Sequence, residues 1–568
     1  MDYTIYKIKN EIIDLVIKAL ERDIDRQQVE ITLPPDSTMG DLSVPCFYFT
    51  KLLRISPNQI AAELKNKIPA TGHIKSIQNI GPYLNFFINQ KYLGQKVLKE
   101  VYKKSDKYGQ LKLPKEKIMI EYSGPNTHKE FHIGHVRNVA LGASLVNLHR
   151  FASQKVVAVN YIGDIGAHVA KCLWALEKFH KDEELPENKG KYLGAIYTEA
   201  VKKIEDNEEY KKEADEVQRK LEHGDKYLTA LWKKTRLWSL DELNEIYKIL
   251  GSKFDHIFYE SEVEKPGKKL VAELLEKGLA EKSESATIIN LEKYNLKSLL
   301  LLKSDGSSLY STKDLALAKL KFEKYKIDKS YYVVDSRQGF YFRQVFKTLE
   351  VMGFVRPMKH IAYEFLTLKE GAMSSRSGNI VPFEDFLEQF IALASEETKK
   401  RHADWSEEDI SSVSRKIALG AIKFNLLKVG NNSVIVFDPQ EALSFDGFTG
   451  PYLQYTVSRI NSILKKETVK NIKDVHFSKL NSVLEKQIFW LLAAFPEVIE
   501  KAVAEEEATG LAKYLFDLAR SFSSFYQNVP ILSADEKSRP ARLLLTMSVH
   551  QVLVSGLELL GIETVEQM

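Results

Sequence analysis

The tetrapeptide His132-Ile133-Gly134-His135 constrains the fold of this chain more than any other part of its sequence. An apolar, strand-sized run at 118–120 precedes it, and apolar residues follow it at the spacing of an amphipathic helix. Glycine lets a ligand approach the backbone closely, and the N-terminus of a helix favours negative charge. The pattern therefore predicts a strand, a loop and a helix whose first turn binds the phosphates of a nucleotide. The alternative is a pair of histidines that only satisfy local hydrogen bonds at a helix end.

Length and composition limit the class of protein. A chain of 568 residues is too long for one hydrophobic core, and its length is typical of three or four domains. Its 81 basic and 77 acidic residues leave a net charge of +4, so a nucleic-acid partner would be bound through local patches and shape. Cys46 and Cys172 cannot form a multi-cysteine zinc site, and sparse cysteine is typical of the reducing cytosol. The sequence has no apolar run long enough for a membrane span.

The pattern of apolar residues divides the chain into parts. Residues 1–110 combine helices with strands at 74–80 and 83–88 and predict a small α+β module. Residues 111–385 alternate strand-like segments with helices, which is typical of a parallel α/β sheet. A charged stretch at about 190–251 interrupts the alternation and indicates a solvated helical insertion. The segments assigned to the parallel sheet are 118–121, 156–162, 286–291, 299–302 and 331–334.

Strand patterns nearly disappear after residue 385. Residues 386–430 are predicted to form a helical connector, with a helix cap at Ser406. Residues 431–568 are predicted to form an all-helical bundle. Its helices are expected at 452–465, 483–503, 511–526 and 540–560.

A second short segment, at 371–379, is rich in glycine, serine and other small polar residues. This composition favours a loop, and its hydroxyl groups, backbone N–H groups and one arginine suit a polyphosphate. An ordinary surface loop is the alternative. The candidate phosphate-binding residues are Met373, Ser374, Ser375 and Arg376.

The order of strand, histidine tetrapeptide, alternating α/β segments and Met-Ser-Ser-Arg loop resembles that of a class I aminoacyl-tRNA synthetase. The stretch 121–137 narrows the resemblance to arginyl-tRNA synthetases, because it has their Ser-x-Pro-Asn-x-x-Lys-x-x-His-x-Gly-His spacing. The resemblance covers essentially the whole chain, including an N-terminal module similar to the one that contacts the outer corner of tRNA in that family. Further similar segments lie at 160–166, 304–314, 445–455 and 517–520.

The resemblance implies a fold, a reaction and a set of partners. The fold would be a Rossmann-like parallel α/β catalytic domain of class I type, with an N-terminal α+β module and a C-terminal all-α anticodon-binding bundle. The reaction would use ATP, with Mg²⁺ carried on it, to activate L-arginine as the adenylate and then transfer it to the 2′-hydroxyl of the terminal ribose of tRNA-Arg. A cytoplasmic monomer without a membrane partner is expected, and whether activation requires bound tRNA is left open.

The resemblance also assigns roles around the tetrapeptide. His132, Gly134 and His135 would stabilise charge on phosphate oxygens while the adenylate forms. The later loop departs from the synthetase pattern Lys-Met-Ser-Lys-Ser, because positions 372 and 375 are alanine and serine. Lys129 would replace the missing lysine and neutralise the leaving pyrophosphate. Lys369, which is nearer the loop, is the rival candidate.

Arginine recognition requires acceptors for a planar guanidinium with five donors, and carboxylates match it bidentately. Tyr310 and Asp314 resemble the family's guanidinium contacts by position, and their spacing of four places them on one face of a helix. Glu121 adds a second acidic group. The amino and carboxylate ends of arginine would be held by Asn126, Gln338 and His132.

Contacts with tRNA are expected at both ends of the chain. Asn85 and Phe87 are the candidates in the N-terminal module. In the C-terminal bundle, aromatic side chains that stack on anticodon bases would contribute about 1–3 kcal/mol per base. The candidates there are Tyr452, Tyr455 and Tyr526, with Trp405 and Phe525 as further aromatic residues. We expect no protein side chain to bind a metal directly.

Two other functions stay open at this point. Another class I synthetase, such as a glutamyl or cysteinyl enzyme, is disfavoured because Asp314 and Glu121 would repel glutamate and because the chain has no zinc-type cysteine set. A catalytically inactive tRNA-binding relative is disfavoured because both histidines and Lys129 are present. Exchange of pyrophosphate into ATP with different amino acids distinguishes these functions.

Overall fold

The structure, a computed structural model, describes residues 2–36, 38–283, 286–369, 371–372 and 381–568. Its amino-terminal part consists of α1 (Thr4–Leu20), β1 (Leu42–Pro45), α2 (Phe47–Leu53), α3 (Pro57–Lys67), β2 (Ile74–Ile80), β3 (Tyr83–Ile88) and α4 (Gln90–Lys104). The strands form an antiparallel sheet of order β1-β3-β2. Strands β2 and β3 have the predicted bounds, because Gly81, at φ 56°, and Pro82 turn the chain between two apolar runs.

The central part alternates strands and helices, as the apolar pattern predicts. Its first half consists of β4 (Lys117–Glu121), α5 (Ile133–Phe151), β5 (Lys155–Ile162), α6 (Ala167–Phe179), α7 (Lys189–Glu205), α8 (Glu208–Glu222), α9 (Lys226–Ile249), β6 (His256–Tyr259) and α10 (Glu260–Glu276). Its second half consists of β7 (Glu281–Ser283), β8 (Ala286–Ile289), β9 (Leu299–Lys303), α11 (Tyr310–Tyr325), β10 (Lys329–Asp335), α12 (Gly339–Val351), β11 (Met358–Tyr363), β12 (Leu366–Leu368) and β13 (Gly371–Ala372).

A five-stranded parallel sheet organises this part. Its order is β11-β10-β4-β5-β6, so the strand before the histidine tetrapeptide is the middle strand. From β4 the chain continues to β5 and β6 on one side, and it later adds β10 and β11 on the other side. Open parallel sheets bind ligands beyond the carboxyl ends of the strands, where the strand order reverses in this way. The tetrapeptide follows β4 and therefore lies at that position.

Two predicted members of the parallel sheet lie elsewhere. The segments 286–291 and 299–302 contribute β8 and β9 to an antiparallel sheet of order β7-β8-β9. The strands β6 and β11 take their places in the parallel sheet. Both were missed because β6 has only four residues and because β11 contains Lys359 and His360 between its apolar residues.

The helical insertion is present, but it is less solvated than its charge pattern suggests. Helices α7, α8 and α9 cover most of the stretch 190–251 and pack on α6. Their apolar residues join those of α6 in one cluster, with Cys172, Leu173, Leu193, Ile196 and Ala200 fully or almost fully buried. The insertion therefore has a small hydrophobic core of its own.

The carboxy-terminal part is helical, as predicted, except for the short strand at Ile435–Phe437, which pairs with the strand at Leu366–Leu368 and was not predicted. It consists of α13 (Phe383–Arg401), α14 (Glu407–Leu427), β14 (Ile435–Phe437), α15 (Pro439–Ala442), α16 (Gly450–Lys466), α17 (Val483–Glu505), α18 (Thr509–Asn528) and α19 (Arg539–Leu559). Ser406 caps α14 by accepting a hydrogen bond from the Asp409 N–H group at 3.1 Å. Among the described residues, no helix is both long and apolar enough to cross a membrane.

Helix α5 differs from its prediction in one respect. The sequence predicts an amphipathic helix, but α5 is buried on nearly all sides. It packs on β5 and β10 and also contacts α14, α17 and α19. Polar residues such as Arg137, Asn138 and His149 are buried with the apolar ones, so the helix lies at the centre of the molecule.

Candidate active site

A pocket of about 660 Å³ opens at the carboxyl ends of the parallel strands, a size that suits a small-molecule ligand. Lys129 lies outside its lining, and Met373, Ser374, Ser375 and Arg376 lie outside the described residues. Eight candidate residues line the pocket together: Glu121, Asn126, His132, Gly134, His135, Tyr310, Asp314 and Gln338.

The two histidines of the tetrapeptide cap helix α5. His132 is the residue before the helix, and its Nδ1 accepts a hydrogen bond from the Gly134 N–H group at 3.1 Å. The N–H group of His132 donates to Nδ1 of His135, also at 3.1 Å. The two rings lie 3.8 Å apart between centroids. The local hydrogen bonds of the alternative interpretation therefore exist, and they leave both rings lining the pocket.

Both histidines are neutral at physiological pH. Burial, and secondly the charge of Lys129, lower the pKa of His132 to about 4. Burial, together with His132 and Lys129, holds the pKa of His135 well below its usual value. Because each Nδ1 accepts a backbone N–H group, the proton of each neutral ring is on Nε2. Each ring can therefore donate one hydrogen bond from Nε2 without carrying a charge.

Gly134 has a steric role in this arrangement. A Cβ atom at this position would lie 2.9 Å from Cε1 and 3.0 Å from Nδ1 of His132. A larger residue would therefore push the His132 ring away from the backbone N–H group of position 134, whose hydrogen bond Nδ1 of His132 accepts. The glycine makes room for the capping histidine as well as for a ligand.

Lys129 and Lys369 differ in environment. Lys129 is largely buried, its Nζ lies 5.0 Å from the ring centroid of Tyr197, and burial lowers its pKa. Its charge contributes to the lowered pKa of both His132 and His135, which follow it by three and six residues in the sequence. Lys369 is exposed, and its Nζ pairs with Asp438 at 2.6 Å. The charge of Lys369 is thus already balanced at the surface.

The acidic groups of the pocket are not equivalent. Glu121 pairs with the buried Lys321 at 2.5 Å, and Glu260 pairs with the buried Lys313. Glu121 thus lines the pocket with its charge already compensated by Lys321, and its contact with a guanidinium stays a prediction. Asp314 has no cation within 4.0 Å in the part of the chain that the structure describes. It is the pocket acid best suited to receive an incoming cation.

Asp314 has a strongly raised pKa and a hydrogen bond from a neighbouring tyrosine. Its Oδ2 accepts a hydrogen bond from the Tyr341 hydroxyl group at 2.5 Å. Burial, and next the charges of Glu121 and Glu260, raise the pKa of Asp314 to about 7 against the lowering effect of that hydrogen bond. A buried carboxyl group with a raised pKa in a cleft is typical of a ligand-binding position.

The remaining candidates surround this acid. Tyr310 and Asp314 are both on α11, so the predicted helical spacing is correct. Gln338 is exposed and precedes α12. The side-chain oxygen of Asn126 lies against Gly163, where any Cβ atom would collide with it. These residues present a phenol and two amides to the space beside Asp314.

Three useful residues were missed from the sequence. Lys321 balances the charge of Glu121, Glu260 is a further pocket acid that pairs with Lys313, and Tyr341 donates a hydrogen bond to Asp314. A signal existed for Lys321 alone, since it lies seven residues after Asp314 on an otherwise apolar face of α11. Tyr341 and Glu260 come from other elements and have no local signal.

A second pocket, of about 890 Å³, lies in the carboxy-terminal bundle. Tyr455, Tyr526 and Trp405 line it, as does Arg459. The guanidinium carbon of Arg459 lies 4.6 Å from the ring centroid of Tyr455 and 5.1 Å from that of Tyr526. Flat aromatic and guanidinium groups on one wall can stack on nucleobases.

Two aromatic candidates of the bundle lie elsewhere. Tyr452 packs on Phe516, and its hydroxyl group donates to Ser523 at 3.1 Å. Phe525 is fully buried in the core. Neither residue lines the pocket of the bundle. The expectation for Phe525 is corrected, because a fully buried ring cannot stack on RNA, whereas Tyr452 is half-buried and its contact with tRNA stays a prediction.

The N-terminal candidates are also divided. Asn85 is buried and accepts a hydrogen bond from the Ser43 hydroxyl group at 2.6 Å, so RNA cannot reach it. Phe87 is half-buried on the same strand. The exposed aromatic residues nearby are Phe47 and Tyr83, whose ring centroids are 5.7 Å apart. Phe47 and Tyr83, and not Asn85, are therefore the side chains of this region that are accessible to RNA.

Three family models match successive parts of the chain. The model described as "tRNA synthetases class I (R), catalytic domain" matches residues 97–438. The "Arginyl tRNA synthetase N terminal domain" matches residues 6–88, and the "DALR anticodon binding domain" matches residues 453–568.

Relatives and solved structures agree with these matches. An arginine–tRNA ligase of Bdellovibrio bacteriovorus is 37% identical over 561 residues, which is 97% of this chain and 95% of that protein. One of Clostridium botulinum is 36% identical over the full length of both chains. The structure of the arginyl-tRNA synthetase of Thermus thermophilus superposes with a TM-score of 0.84 at 26% identity and covers 99% of this chain and 100% of that one. The chain therefore belongs to the arginine–tRNA ligase family of class I tRNA synthetases.

Proposed function

We propose that this chain is an arginine–tRNA ligase. In the first step the carboxylate of arginine attacks the α-phosphorus of ATP, forming arginyl-adenylate and releasing pyrophosphate. In the second step the 2′-hydroxyl of the terminal ribose of tRNA-Arg attacks the carbonyl carbon, and AMP leaves after accepting the proton on its phosphate. Residues 111–385 would perform this chemistry, with 386–430 as a connector.

The observation that carries the choice of arginine is the state of Asp314. It is a half-buried acid that lines the pocket without a cation partner among the described residues, and Tyr310 lies on the same helix face. A guanidinium can bond both a carboxylate and a phenol in its own plane, whereas an ammonium is a compact point charge. Asn126 and Gln338 would bind the opposite end of the amino acid.

The phosphates of ATP would lie near the first turn of α5. Neutral His132 and His135 would donate from Nε2 to the phosphate oxygens on which charge accumulates. Lys129 would neutralise the pyrophosphate, and Met373, Ser374, Ser375 and Arg376 stay candidates for the β- and γ-phosphates. No group of three or more His, Cys, Asp or Glu side chains in the described ranges could hold a metal ion. Mg²⁺ would be carried by the oxygens of ATP.

The tRNA would contact both ends of the chain. Residues 431–568 would bind the anticodon, with bases stacked between Tyr455, Tyr526 and Arg459. Residues 1–110 would meet the outer corner through Phe47, Tyr83 and Phe87. A monomer suffices for this proposal, because every proposed contact comes from one chain, and we assign it to the cytoplasm.

Pyrophosphate exchange tests the proposal. Purified protein is incubated with ATP, labelled pyrophosphate and one amino acid, with and without tRNA-Arg. We expect exchange with arginine and none with glutamate, cysteine or lysine. Exchange with another amino acid would identify a different class I synthetase, and no exchange under either condition would identify an inactive relative.

Arginine binding should weaken below about pH 7. The carboxylate form of Asp314 is the one that binds a guanidinium, and its pKa in the free protein is raised to about 7, mainly by burial. The KM for arginine should be constant above that pH and should rise about tenfold for each pH unit below it. The measurement is the arginine dependence of exchange between about pH 6 and 8.5, with the KM for ATP as the control. A constant KM for arginine across this range would contradict the role of Asp314.

A further inference from the structure

The segment before the histidine tetrapeptide is held from two sides. On one side the Gly163 N–H group donates to the Pro125 carbonyl at 3.1 Å, and the Thr127 N–H group donates to the Gly163 carbonyl at 2.9 Å. On the other side the His128 N–H group donates to the Ser239 hydroxyl group of α9 at 2.9 Å. The insertion thus contacts the residue that directly precedes Lys129.

The ring of His128 makes this contact specific. It is fully buried, and burial lowers its pKa to about 3, so the ring is neutral. The Thr235 hydroxyl group lies 2.8 Å from Nε2 of His128 and can also donate to the Leu231 carbonyl at 2.9 Å. Nδ1 lies 2.9 Å from the Thr127 hydroxyl group, which can also donate to the Gly163 carbonyl at 3.3 Å. Both nitrogens of the ring therefore have a hydrogen-bond partner in either neutral tautomer.

The backbone of His128 is in the left-handed region, with φ 62°. This conformation costs a residue with a Cβ atom about 1–2 kcal/mol and persists where its surroundings enforce it. Here the hydrogen bonds to Thr235 and Ser239, which lie one turn apart on α9, enforce it. The backbone direction from His128 to Lys129 therefore depends on the contacts of His128 with α9.

A second helix of the insertion contacts the side chain of Lys129. Its Nζ lies 5.0 Å from the ring centroid of Tyr197 on α7. The neighbouring charge is Lys171 of α6, which contributes to the lowered pKa of Lys129. The aromatic face of Tyr197 thus holds the ammonium group in the free protein against repulsion from Lys171.

We propose that the helical insertion positions Lys129 for the first reaction step. His128, bound by Thr235 and Ser239, sets its backbone, and Tyr197 holds its ammonium group close to the tetrapeptide until ATP binds. His128 is in this sense a positioning residue, because it acts through Lys129 and does not contact the reacting atoms. The inference rests on the proposed role of Lys129 in neutralising pyrophosphate.

Removing one hydroxyl group of α9 tests the proposal. Thr235→Val keeps the shape of the side chain but removes the hydroxyl group that forms the hydrogen bond with Nε2 of His128. A displacement of about 1 Å at a catalytic group costs up to about 100-fold in rate, so we expect kcat for pyrophosphate exchange to fall about 10- to 100-fold. The KM for arginine should not change, because the arginine pocket does not include Thr235. Thr235→Ser, which restores the hydroxyl group, should recover most of the rate.

A double-mutant cycle separates positioning from a general structural effect. In a Lys129→Ala background Thr235→Val should lower kcat no further, whereas an equal loss in both backgrounds would overturn the proposal. Thr198→Val on α7 is the matched control, since it removes a similar helix-internal hydroxyl group, which donates to the Gly194 carbonyl at 3.1 Å. If the unmodified protein shows no arginine-dependent exchange, the proposed function fails. If it shows exchange and Thr235→Val has the full rate, this inference alone fails.

Chemical labelling of Lys129 provides a second readout. Acetic anhydride is applied to the intact protein, and acetylation of Lys129 is followed by mass spectrometry. Tyr197→Leu removes the aromatic face, and Thr235→Val frees the backbone, so both should change the labelling rate of Lys129 by at least about threefold. Labelling of Lys369 should be constant in both variants. An unchanged rate at Lys129 in both would overturn the proposal without affecting the proposed function.

Discussion

Asp314→Asn should lower kcat/KM for arginine by about 30- to 4,000-fold. The asparagine keeps the shape of the side chain and can still accept from Tyr341, but it removes the charge that would pair with a guanidinium. Leaving one partner of a buried charge pair without its counter-charge costs about 2–5 kcal/mol. At about 1.4 kcal/mol for each factor of ten, this energy corresponds to the expected decrease in kcat/KM. The measurement is the arginine dependence of pyrophosphate exchange, with thermal unfolding to verify that the variant is folded.

Tyr341→Phe is the graded control for this variant. It removes only the hydrogen bond that lowers the pKa of Asp314, so the carboxyl group should titrate at a higher pH. The rise in the KM for arginine should then begin at a higher pH, and the loss at alkaline pH should be less than about tenfold. The KM for ATP should be unaffected in both variants. Unchanged kcat/KM in Asp314→Asn would mean that the guanidinium is bound elsewhere.

Local signals account for the parts of the fold that could be predicted. Strands β2 and β3 are separated by Gly81-Pro82, and the strand β4 and the helix α5 flank the histidine tetrapeptide. The helices α16 to α19 follow apolar residues at helical spacing within a few residues of the predicted bounds. In each case the information lies within a few residues of the element.

Strand partners and helix surroundings could not be predicted in the same way. The segments 286–291 and 299–302 are apolar, as a central strand would be. The strands that they contain, β8 and β9, pair with each other, and β8 also pairs with β7. The choice of a sheet depends on elements far along the chain. Helix α5 looks amphipathic in the sequence because Arg137, Asn138 and His149 are polar. All three are nevertheless buried, and hydrogen bonds satisfy their polar groups there.

In the site, too, local sequence signals were sufficient for some residues but not for contacts between distant parts of the chain. His132, Gly134 and His135 of the tetrapeptide were predicted to lie together with Tyr310 and Asp314, and these five residues line one pocket. The compensation of Glu121 by Lys321 joins positions 200 residues apart, so spacing could not show it. The contact between His128 and Thr235 spans 107 residues and is equally nonlocal.

The second large effect is expected for Lys129→Ala. This variant should lower kcat for pyrophosphate exchange by about 100- to 1,000-fold, the usual effect of losing one electrostatic contact to a transition state, about 2.7–4 kcal/mol. Because His132 and His135 are neutral, Lys129 is the full positive charge that the described residues place beside them. The KM for arginine and the Kd for tRNA should change less than about threefold, since neither contact involves this side chain.

Lys369→Ala is the matched control, because it removes the same ammonium group from an exposed position where Asp438 already balances it. An exposed ion pair contributes about 0–1 kcal/mol, so this variant should retain at least about a third of the activity. The opposite result, with full activity in Lys129→Ala and loss in Lys369→Ala, would assign pyrophosphate to the surface lysine. Loss in both would mean that the two ammonium groups act together, which their different burial argues against. Lys129→Arg should recover only part of the rate, because a guanidinium keeps the charge but not the compact shape that the space beside Tyr197 accommodates.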